Sequence, residues 1–263
     1  MPSVLPDSEA PHVLLVDDSL DELRLLSAML RAERFRLTVA GDGRKGYQRA
    51  VVSRPDIVLL DVNMPELDGF GACRLLKADP ATRHIPVIFL TAKNEPEERL
   101  RGLQLGGVDY VSKPVLAAEI IARIRIHLGR SASGGTRQAQ HQPASSREPD
   151  EVIFAAASEE IRARLETLPS VPEIARMVGT HEKRLGQIFR ERMGMTVSTF
   201  VGEERIRLAR RLLAETSMSV QDIAEQVGFG TGANFTTAFR KRMGMTPTAY
   251  RHGLRDGVTE ANP

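Results

Sequence analysis

The sequence predicts an α/β domain with a doubly wound, five-stranded parallel sheet, followed by a flexible linker and an all-helical domain. Residues 11–129 contain five short apolar runs that alternate with segments of helical periodicity. Residues 130–150 show no apolar periodicity, and residues 151–255 contain an internal repeat of helix, turn and helix. A chain of 263 residues is long enough for about two domains that each bury a core.

The composition is that of a globular protein, with 41% hydrophobic and 27% charged residues. The single cysteine, Cys73, cannot form a disulfide within the chain, which favours a reducing compartment. The N-terminus lacks a signal-peptide pattern, and no apolar stretch reaches the roughly 20 residues that cross a bilayer. We therefore expect a cytoplasmic protein without membrane association. A net charge of +2 is too small to indicate nucleic-acid binding by itself.

Each predicted strand is a short apolar run that ends at polar or turn-forming residues. In chain order the runs are His12–Val16, Leu37–Ala40, Ile57–Leu60, Pro86–Leu90 and Asp109–Ser112. Helical segments follow them, the first marked by Leu23, Leu26, Met29 and Leu30 and the others at 44–53, Phe70–Leu76, Glu97–Leu105 and Glu119–Leu128. Strands that alternate with helices form a parallel sheet covered on both faces, because each crossover helix packs back onto the sheet.

Polar side chains follow four of these predicted strands. They are Asp17 and Asp18 after the first strand, Asp61 after the third, Thr91 after the fourth and Lys113 after the fifth. Because the carboxyl ends of parallel strands share one edge of the sheet, we expect these side chains to converge. Taken singly, each is more simply explained as a turn or capping residue. Their joint position after buried strands favours a shared site.

The chemistry expected at this edge is phosphoryl transfer. Three carboxylates repel one another unless a cation lies among them, and oxygen ligands with open positions suit Mg²⁺. A lysine and a hydroxyl opposite the metal would bind the remaining oxygens of a phosphoryl group. Asp61 would be the nucleophile that forms an acyl phosphate.

Four motifs support a family resemblance. They are Val16-Asp17-Asp18-Ser19, Leu60-Asp61-Val62-Asn63-Met64-Pro65 with Asp68-Gly69, Leu90-Thr91-Ala92, and Asp109-Tyr110-Val111-Ser112-Lys113-Pro114. With these motifs, residues 11–129 resemble the flavodoxin-like receiver domain of a two-component response regulator. The resemblance implies that Asp61 accepts phosphate from a sensor histidine kinase. It also implies that Asp18, Asp61 and the carbonyl of Asn63 bind Mg²⁺, with Asp17 in support.

The same resemblance implies a switch. Thr91 and Tyr110 occupy the family's switch positions, Lys113 bonds the phosphate, and the Lys113–Pro114 peptide bond is cis. In the family, phosphorylation alters the surface of the fourth helix, fifth strand and fifth helix, where many transcriptional relatives dimerise, so we expect a homodimer on phosphorylation. The charged residues of this surface, candidates for interfacial ion pairs or for a solvated face, are Arg101, Asp109, Glu119 and Arg123.

Residues 130–150 are rich in Ser, Gly, Gln and Pro, a composition typical of a flexible tether. Such a tether keeps two domains close together, but it does not couple a rotation of one domain to the other. Control through dimerisation is therefore favoured over rigid coupling of the two domains.

The second half of the chain repeats itself. Ile188–Thr196 recurs as Ala238–Thr246, and Ile174–Gly179 recurs as Ile223–Gly228. Each copy predicts a short helix, a glycine-containing turn and a second helix, which is the helix-turn-helix pattern. The predicted helices are 152–165, Val171–Val178, Glu182–Met193, Thr199–Ala214, Val220–Val227 and Ala233–Met243, within a unit of seven. The second helix of each copy is the candidate recognition helix.

Basic residues cluster on these helices. They are Lys183, Arg184, Arg190 and Arg192 on the first recognition helix, Arg205, Arg207, Arg210 and Arg211 on the connecting helix, and Arg240, Lys241 and Arg242 on the second recognition helix. Such residues contact DNA phosphates, which positions a protein without reading bases. Helix solubility and stabilisation of helix ends are the alternative explanation. Recurrence at equivalent sites favours the DNA role.

Residues 153–252 resemble the AraC/XylS-type DNA-binding domain. The closest match to the family signature is Ile223-Ala224-Glu225-Gln226-Val227-Gly228-Phe229, then Asn234-Phe235 and Phe239-Arg240, and finally Thr246-Pro247-Thr248-Ala249-Tyr250-Arg251. The resemblance implies two recognition helices that enter successive major grooves. The family's base-reading positions fall on Lys183, Gly186 and Gln187 in the first helix and on Gly232, Ala233 and Thr237 in the second. Because Gly232 and Ala233 offer no long polar side chain, we expect the first helix to read bases and the second mainly to grip phosphates.

Together these features predict a phosphorylation-dependent, sequence-specific transcription regulator that binds DNA, with RNA polymerase as a further candidate partner. The alternative is a phosphorelay or adaptor protein whose C-terminal helices bind a protein. A receiver-controlled enzyme is not expected, because the second half contains neither a cluster of His, Cys, Asp and Glu nor a phosphate-loop glycine spacing.

Overall fold

The computed structural model describes residues 10–92, 95–133 and 148–259. The chain divides into two compact units: the first takes in the residues up to Ala156 together with Ala175–His181, and the second takes in Ala157–Ile174 and the residues from Glu182 onward. Most of the predicted linker, residues 134–147, lies outside the described residues, so the predicted domain limits stay predictions.

The first unit is built on a five-stranded parallel sheet with the strand order β2-β1-β3-β4-β5. The strands are β1 (His12–Val16), β2 (Arg36–Ala40), β3 (Ile57–Asp61), β4 (Val87–Thr91) and β5 (Asp109–Ser112). β1, β3 and β4 are buried along their whole length, as continuous apolar runs require. The register pairs Val16 with Leu60 and Thr91 with Ser112, so the strand ends lie along one edge. The predicted α/β fold is confirmed.

Helices connect these strands. They are α1 (Leu20–Ala32), α2 (Gly43–Ser53), α3 (Gly69–Ala78), α4 (Pro96–Gln104) and α5 (Ala117–Ser133). The side chains of Ser19, Asp42 and Asp68 cap the first three by accepting backbone N–H groups. On one face of the sheet, Leu26 of α1 and Ile120 of α5 join the strand residues in one core. Helix α5 extends past both predicted ends, because its sequence has no proline to end it.

Seven helices follow among the described residues. They are α6 (Pro149–Ala163), α7 (Val171–Met177), α8 (Glu182–Met193), α9 (Val197–Glu215), α10 (Val220–Gln226), α11 (Gly232–Met243) and α12 (Pro247–Thr259). Helix α6 begins at Pro149, inside the predicted linker, because proline is favoured at the first helical position. Across the described part of the chain, no helix is both long enough and apolar enough to cross a membrane.

In the second unit, α9 supplies the core that the second helix-turn-helix packs against. Its buried Ile206, Ala209 and Leu213 form one apolar cluster with Ile223 of α10 and Phe239 of α11. The spacing of the first three residues follows the helical period, so one stripe of α9 faces this cluster. The amphipathic connecting helix predicted from the sequence is therefore confirmed.

Glycines recur at equivalent turns of the two copies. Gly179 follows α7 with a φ of 68°, and Gly228 follows α10 with a φ of 84°. Gly194 and Gly244 likewise follow α8 and α11, with φ values of 66° and 75°. All four lie in the left-handed region, where a side chain is strained. At Gly228 a Cβ would also lie 2.1 Å from the carbonyl oxygen of Leu165, so space as well as conformation requires glycine there.

Candidate functional sites

The acidic residues that were predicted to converge do so at the carboxyl edge of the sheet. Single carboxylate oxygens of Asp17, Asp18 and Asp61 lie within 4.8 Å of one another. Asp17 is fully buried and Asp61 is 4% exposed, whereas Asp18 is exposed. The cluster therefore has a closed side within the domain and an open side from which a ligand can enter.

The backbone around the strand ends fixes these carboxylates. Asp17 Oδ1 accepts the backbone N–H of Ser19 at 2.8 Å, which holds the carboxylate at the end of β1. After β3 the loop returns so closely that a Cβ on Gly69 would lie 2.1 Å from the carbonyl oxygen of Asp61. The neighbouring Asp68 accepts a backbone N–H as the cap of α3. The Asp68-Gly69 pair of the motif thus shapes the loop that presents Asp61.

Lys113 places its ammonium in the acidic cluster. Its Nζ donates to Asp17 Oδ2 at 2.7 Å and lies 2.6 Å from Asp61 Oδ1. The same ammonium pairs with Glu22 in the first turn of α1. The peptide bond to Pro114 is cis, as the resemblance implies. The end of β5 is thereby joined to the ends of β1 and β3 through one side chain.

The electrostatics of the cluster favour a cation. Burial raises the pKa of the Asp61 carboxyl, although its bond to Lys113 acts in the opposite direction. Burial acts against the charge of Lys113, but the hydrogen bonds to Asp17, Asp61 and Glu22 outweigh it and raise the pKa of that lysine. With Asp18, four carboxylates face one ammonium. An excess of negative charge, an oxygen-only donor set and an open side fit a hard divalent cation such as Mg²⁺.

The predicted switch residues lie beside this cluster. Thr91 is fully buried at the end of β4, and its carbonyl oxygen accepts the N–H of Lys113 at 2.6 Å. Tyr110 is 7% exposed, and its ring packs on Phe89 with centroids 5.3 Å apart. Burial raises the pKa of Tyr110 to about 12, and its hydroxyl has no hydrogen-bond partner among the described residues. The switch roles themselves stay predictions.

Asn63 lies in the loop after β3. Its side chain is exposed, and its backbone N–H bonds the Asp61 carboxylate, which acts to lower the pKa of that carboxyl. This bond orients Asp61 toward the loop. A metal-binding role for the Asn63 carbonyl stays a prediction.

Glu22 is the residue of this site that the sequence analysis missed. It lies in the first turn of α1, where acidic residues are common because they stabilise the positive end of a helix. Nothing in its local sequence indicates a contact with Lys113, which follows β5 and is far from Glu22 in the sequence. The contact arises when α1 and β5 meet at the same edge of the sheet.

The charged residues predicted on the surface of α4, β5 and α5 make contacts within the chain. Arg123 Nη1 donates to both carboxylate oxygens of Asp109, at 2.8 and 2.9 Å, and Nη2 donates to Glu119 at 2.7 Å. Arg101 lies over the ring of Phe70, 4.6 Å from its centroid. Interfacial ion pairs from these residues stay a prediction.

The first recognition helix, α8, presents long polar side chains on the surface. Lys183, Gln187 and Arg190 are exposed, and Arg184 is partly buried. Gln187 Nε2 donates to Glu191 at 2.7 Å, one helical turn away. Beside this helix lies a groove of about 390 Å³ whose lining includes Lys183, Gly186, Arg190, Thr196 and Ser198. The exposed polar and basic side chains of this helix are compatible with a DNA contact, and that role stays a prediction.

The second recognition helix, α11, presents shorter side chains. Thr237 is exposed, but its hydroxyl donates to the carbonyl oxygen of Ala233 at 3.0 Å within the same helix. The N–H of Gly232 donates to Gln221 Oε1 of α10 at 3.1 Å, so a side chain from the supporting helix covers the start of α11. Which of the two helices reads bases stays a prediction.

The basic residues predicted to grip phosphates differ in their surroundings. Arg211 of α9 and Arg240 and Lys241 of α11 are exposed. Arg242 is also exposed, but its guanidinium pairs with Glu203 of α9. These positions are compatible with phosphate contacts, and their DNA role stays a prediction.

Arg205 differs from these residues in its surroundings, and its predicted DNA contact is untested. It was predicted to contact DNA, but its side chain is partly buried inside the second unit. Its Nη2 donates to the carbonyl oxygen of Leu165 at 3.1 Å, and its guanidinium lies 5.6 Å from the centroid of the Phe229 ring. Burial lowers the pKa of Arg205. The helical position of this arginine turns it toward the packed side of α9, where it supports the fold.

Comparison with known proteins agrees with both halves of this description. The family model of the response regulator receiver domain matches residues 13–125, and that of a helix-turn-helix domain matches residues 174–253. The response regulator PleD of Caulobacter vibrioides is 45% identical over 114 residues, which are 43% of this chain and 25% of PleD. The transcriptional regulatory protein PrrA of Mycobacterium tuberculosis is 37% identical over 131 residues, 50% of this chain and 55% of PrrA.

A solved structure also matches the first half. The receiver domain of a Pseudomonas aeruginosa sensor histidine kinase, solved with a magnesium ion coordinated in its active-site cleft, is 34% identical. The match covers 46% of this chain and 98% of that one, with a TM-score of 0.44. The chain spans about a quarter of PleD and about half of PrrA. The chain contains a response regulator receiver domain at residues 13–125 and a C-terminal AraC-type helix-turn-helix domain at residues 174–253.

Proposed function

We propose that this chain is a transcription regulator whose binding to DNA is controlled by phosphorylation of Asp61 by a sensor histidine kinase. The observation that supports this most is the contact of Asp61 with Lys113 inside an acidic cluster open to solvent. A carboxylate for nucleophilic attack, an ammonium for phosphoryl oxygens and oxygen ligands for a cation meet there. The helix-turn-helix domain supplies an output that binds DNA.

The cation of this site is Mg²⁺ in our proposal. Asp18, Asp61 and the carbonyl of Asn63 would hold it, with Asp17 in support. When bound, Mg²⁺ neutralises charge on the phosphoryl oxygens. The exposed carboxylate of Asp18 leaves the open side of the cluster accessible to the ion and to the donor.

Asp61 is the nucleophile of the transfer. One of its carboxylate oxygens attacks the phosphorus of a phosphohistidine on the kinase, and the new O–P bond forms as the N–P bond breaks. The imidazole leaves with the electron pair of that bond and takes a proton from solvent. Lys113 then donates to an oxygen of the phosphoryl group that Asp61 carries. We propose no catalytic activity for the chain on other molecules.

Phosphorylation is transmitted through the residues packed against the site. The new group brings nearly two negative charges next to Thr91 and Lys113. We propose that Thr91 and the buried Tyr110 respond by shifting the surface of α4, β5 and α5, on which two copies of the chain dimerise. A dimer raises the effective concentration of one DNA-binding domain near the half-site of the other. RNA polymerase is the partner expected if the regulator activates transcription.

DNA is read mainly by α8 in this proposal. Lys183 and Gln187 are long, polar and exposed, so they can reach base edges in a major groove. Arg184 and Arg190 on the same helix contact phosphates. Arg211, Arg240, Lys241 and Arg242 supply further phosphate contacts from α9 and α11, and Thr237 adds a short polar contact.

The test is selection of bound DNA sequences from a random pool, with and without a small phosphodonor, for the full chain and for Asp61→Asn. We expect phosphodonor to enrich a two-part site with the wild-type chain and to have no effect on the variant. Binding should weaken steeply with added salt. Equal binding with and without phosphodonor at every selected site would refute the switch. Absence of DNA binding at low salt would favour an adaptor that binds protein.

A further inference from the structure

We propose that Glu22 is a displaceable counter-ion of Lys113, a positioning residue that competes with the phosphoryl group for the lysine ammonium. The inference rests on the proposed function, because Lys113 needs to exchange a partner only when Asp61 receives a phosphoryl group. Glu22 belongs to none of the receiver motifs in this sequence. Its placement in the site comes from the tertiary structure alone.

The bonding capacity of the Lys113 ammonium limits how many partners it can hold. An ammonium group has three donors and no acceptor. The Nζ of Lys113 contacts three carboxylates, those of Asp17, Asp61 and Glu22. All of its capacity is therefore in use. An arriving phosphoryl oxygen can bind Lys113 only after one of these contacts has been given up.

The three contacts of Lys113 differ in how easily they are given up. The side chain of Asp17 is fully buried, and its other oxygen accepts the N–H of Ser19. Asp61, whose side chain is 5% exposed, carries the phosphoryl group and stays in the site. The side chain of Glu22 is 41% exposed, so water can solvate its carboxylate as soon as it moves outward. The charge of the phosphoryl group also repels it. Glu22 is the partner that leaves.

Glu22 is available to Lys113 because Asp17 takes its place at the start of α1. Ser19 caps α1 through its hydroxyl, which accepts the N–H of Glu22 at 3.4 Å. In a reciprocal cap, the acid at this position would bond back to the N–H of the serine. Here that N–H donates to Asp17 instead. The carboxylate of Glu22 is thus not needed at the start of the helix, and it extends to Lys113.

The consequence is a resting state in which the lysine is already neutralised. Binding of a phosphoryl group has to displace Glu22, so the contact weakens the affinity of the site for phosphoryl groups and shortens the time they are held. Removing the charge of Glu22 without changing its size should therefore strengthen phosphoryl binding.

The experiment measures binding of beryllofluoride, a mimic of the phosphoryl group, to the full chain at saturating Mg²⁺. Calorimetry is suitable because the chain has no tryptophan to report binding by fluorescence. We expect Glu22→Gln to lower the Kd about two- to fivefold, as loss of a half-exposed ion pair predicts. The matched control is Asp21→Asn, which removes the same charge from a neighbouring side chain that is 94% exposed and pairs with Arg24. The control should bind as the wild type does.

A second readout is the lifetime of phosphorylated Asp61 after labelling with a small phosphodonor. We expect this lifetime to increase in Glu22→Gln and in Glu22→Ala, and to stay unchanged in Asp21→Asn. An unchanged or higher Kd in Glu22→Gln would overturn the inference, and so would an equal gain in the control. If neither wild type nor variant bound beryllofluoride, the proposed phosphorylation site would fail, and the inference with it.

Discussion

In the receiver site Asp17, Asp61 and Lys113 are largely buried and bonded to one another, whereas most of the long polar side chains of the candidate recognition helix α8 lie on the surface. Asp17, Asp61 and Lys113 form contacts of 2.6 to 2.7 Å with little exposure to water. Lys183 and Arg190 are exposed. Buried charges are coupled to the stability of the fold and to pH, because desolvation changes their pKa. Exposed charges leave the fold nearly unaffected and act on a partner.

The largest effect that this comparison predicts is on DNA. Changing both Lys183 and Gln187 to Ala should reduce discrimination between the selected site and a scrambled site by at least about thirtyfold, because two base contacts of about 1–3 kcal/mol each are lost. The melting temperature should hardly change, since both side chains are exposed. Competition binding and thermal unfolding measure the two effects. Equal weakening at all sequences would show that these residues do not read bases.

Arg205 is a charged residue of the DNA-binding domain that is partly buried. Its replacement therefore tests whether a buried charge in this domain affects stability more than DNA binding. Arg205→Ala should lower the free energy of unfolding by about 2 kcal/mol, since it removes the guanidinium bound to the Leu165 carbonyl and its packing on Phe229. Arg211→Ala is the exposed control and should leave stability within about 0.5 kcal/mol. Chemical denaturation measures both. A stable Arg205→Ala with reduced DNA binding would support the prediction from the sequence.

Replacement of Asp61 tests how a buried carboxyl makes the stability of the fold depend on pH. Because burial raises its pKa, the folded chain binds the proton more tightly than the unfolded chain does. The stabilisation from this proton is present below the ordinary carboxyl value of 3.8 and is lost as pH rises through the folded-state pKa. Without Mg²⁺, Asp61→Asn should therefore be more stable than the wild type near pH 7.

The difference between the two proteins should shrink as the pH falls toward the acid range, and Mg²⁺ should stabilise the wild type more than the variant. Thermal unfolding across pH, with chelator or with Mg²⁺, measures both trends. A variant less stable than the wild type at neutral pH in chelator would show that the Lys113 contact outweighs the burial of Asp61.

The smallest effect is expected at the phosphate-gripping residues of α11. Arg240→Ala should weaken binding to every DNA sequence by a similar factor and lower the slope of log affinity against log salt by about one. Stability should not change, because the side chain is exposed. Salt titrations on specific and scrambled DNA measure the slope. A loss confined to the specific site would assign Arg240 a base contact instead.

Much of the fold followed from local sequence patterns. Strands such as Ile57–Asp61 are buried on both faces, so their apolar runs identify them and the residues just after them. Because parallel strands end at one edge, the convergence of Asp17, Asp61 and Lys113 could be predicted without coordinates. The repeat Ile223–Gly228 and its first copy likewise predicted both helix-turn-helix pairs, since the turns require glycine at equivalent positions.

Other features depend on which elements meet in space. The contact of Gln221 with the start of α11 requires α10 and α11 to cross at one angle. The burial of Arg205 depends on which side of α9 packs against the neighbouring helices, and a basic residue at a helical position carries no signal for it. Long polar side chains fit both a surface and a packed site, so composition cannot decide between the two.

The starts of α1 and α10 show most directly which features the local sequence indicates and which depend on tertiary contacts. Both have a serine followed at the third position by an acid, Ser19 with Glu22 and Ser219 with Asp222, and this spacing determines by itself that a helix begins there. At α10 the cap is reciprocal, because Asp222 accepts the N–H of Ser219 at 3.3 Å. At α1 the end of β1 brings Asp17 to that N–H, and β5 brings Lys113 within reach of Glu22. The local spacing determined two helices, but only the tertiary structure turned one of the two acids into part of a phosphoryl site, because its bonding partners come from distant strands.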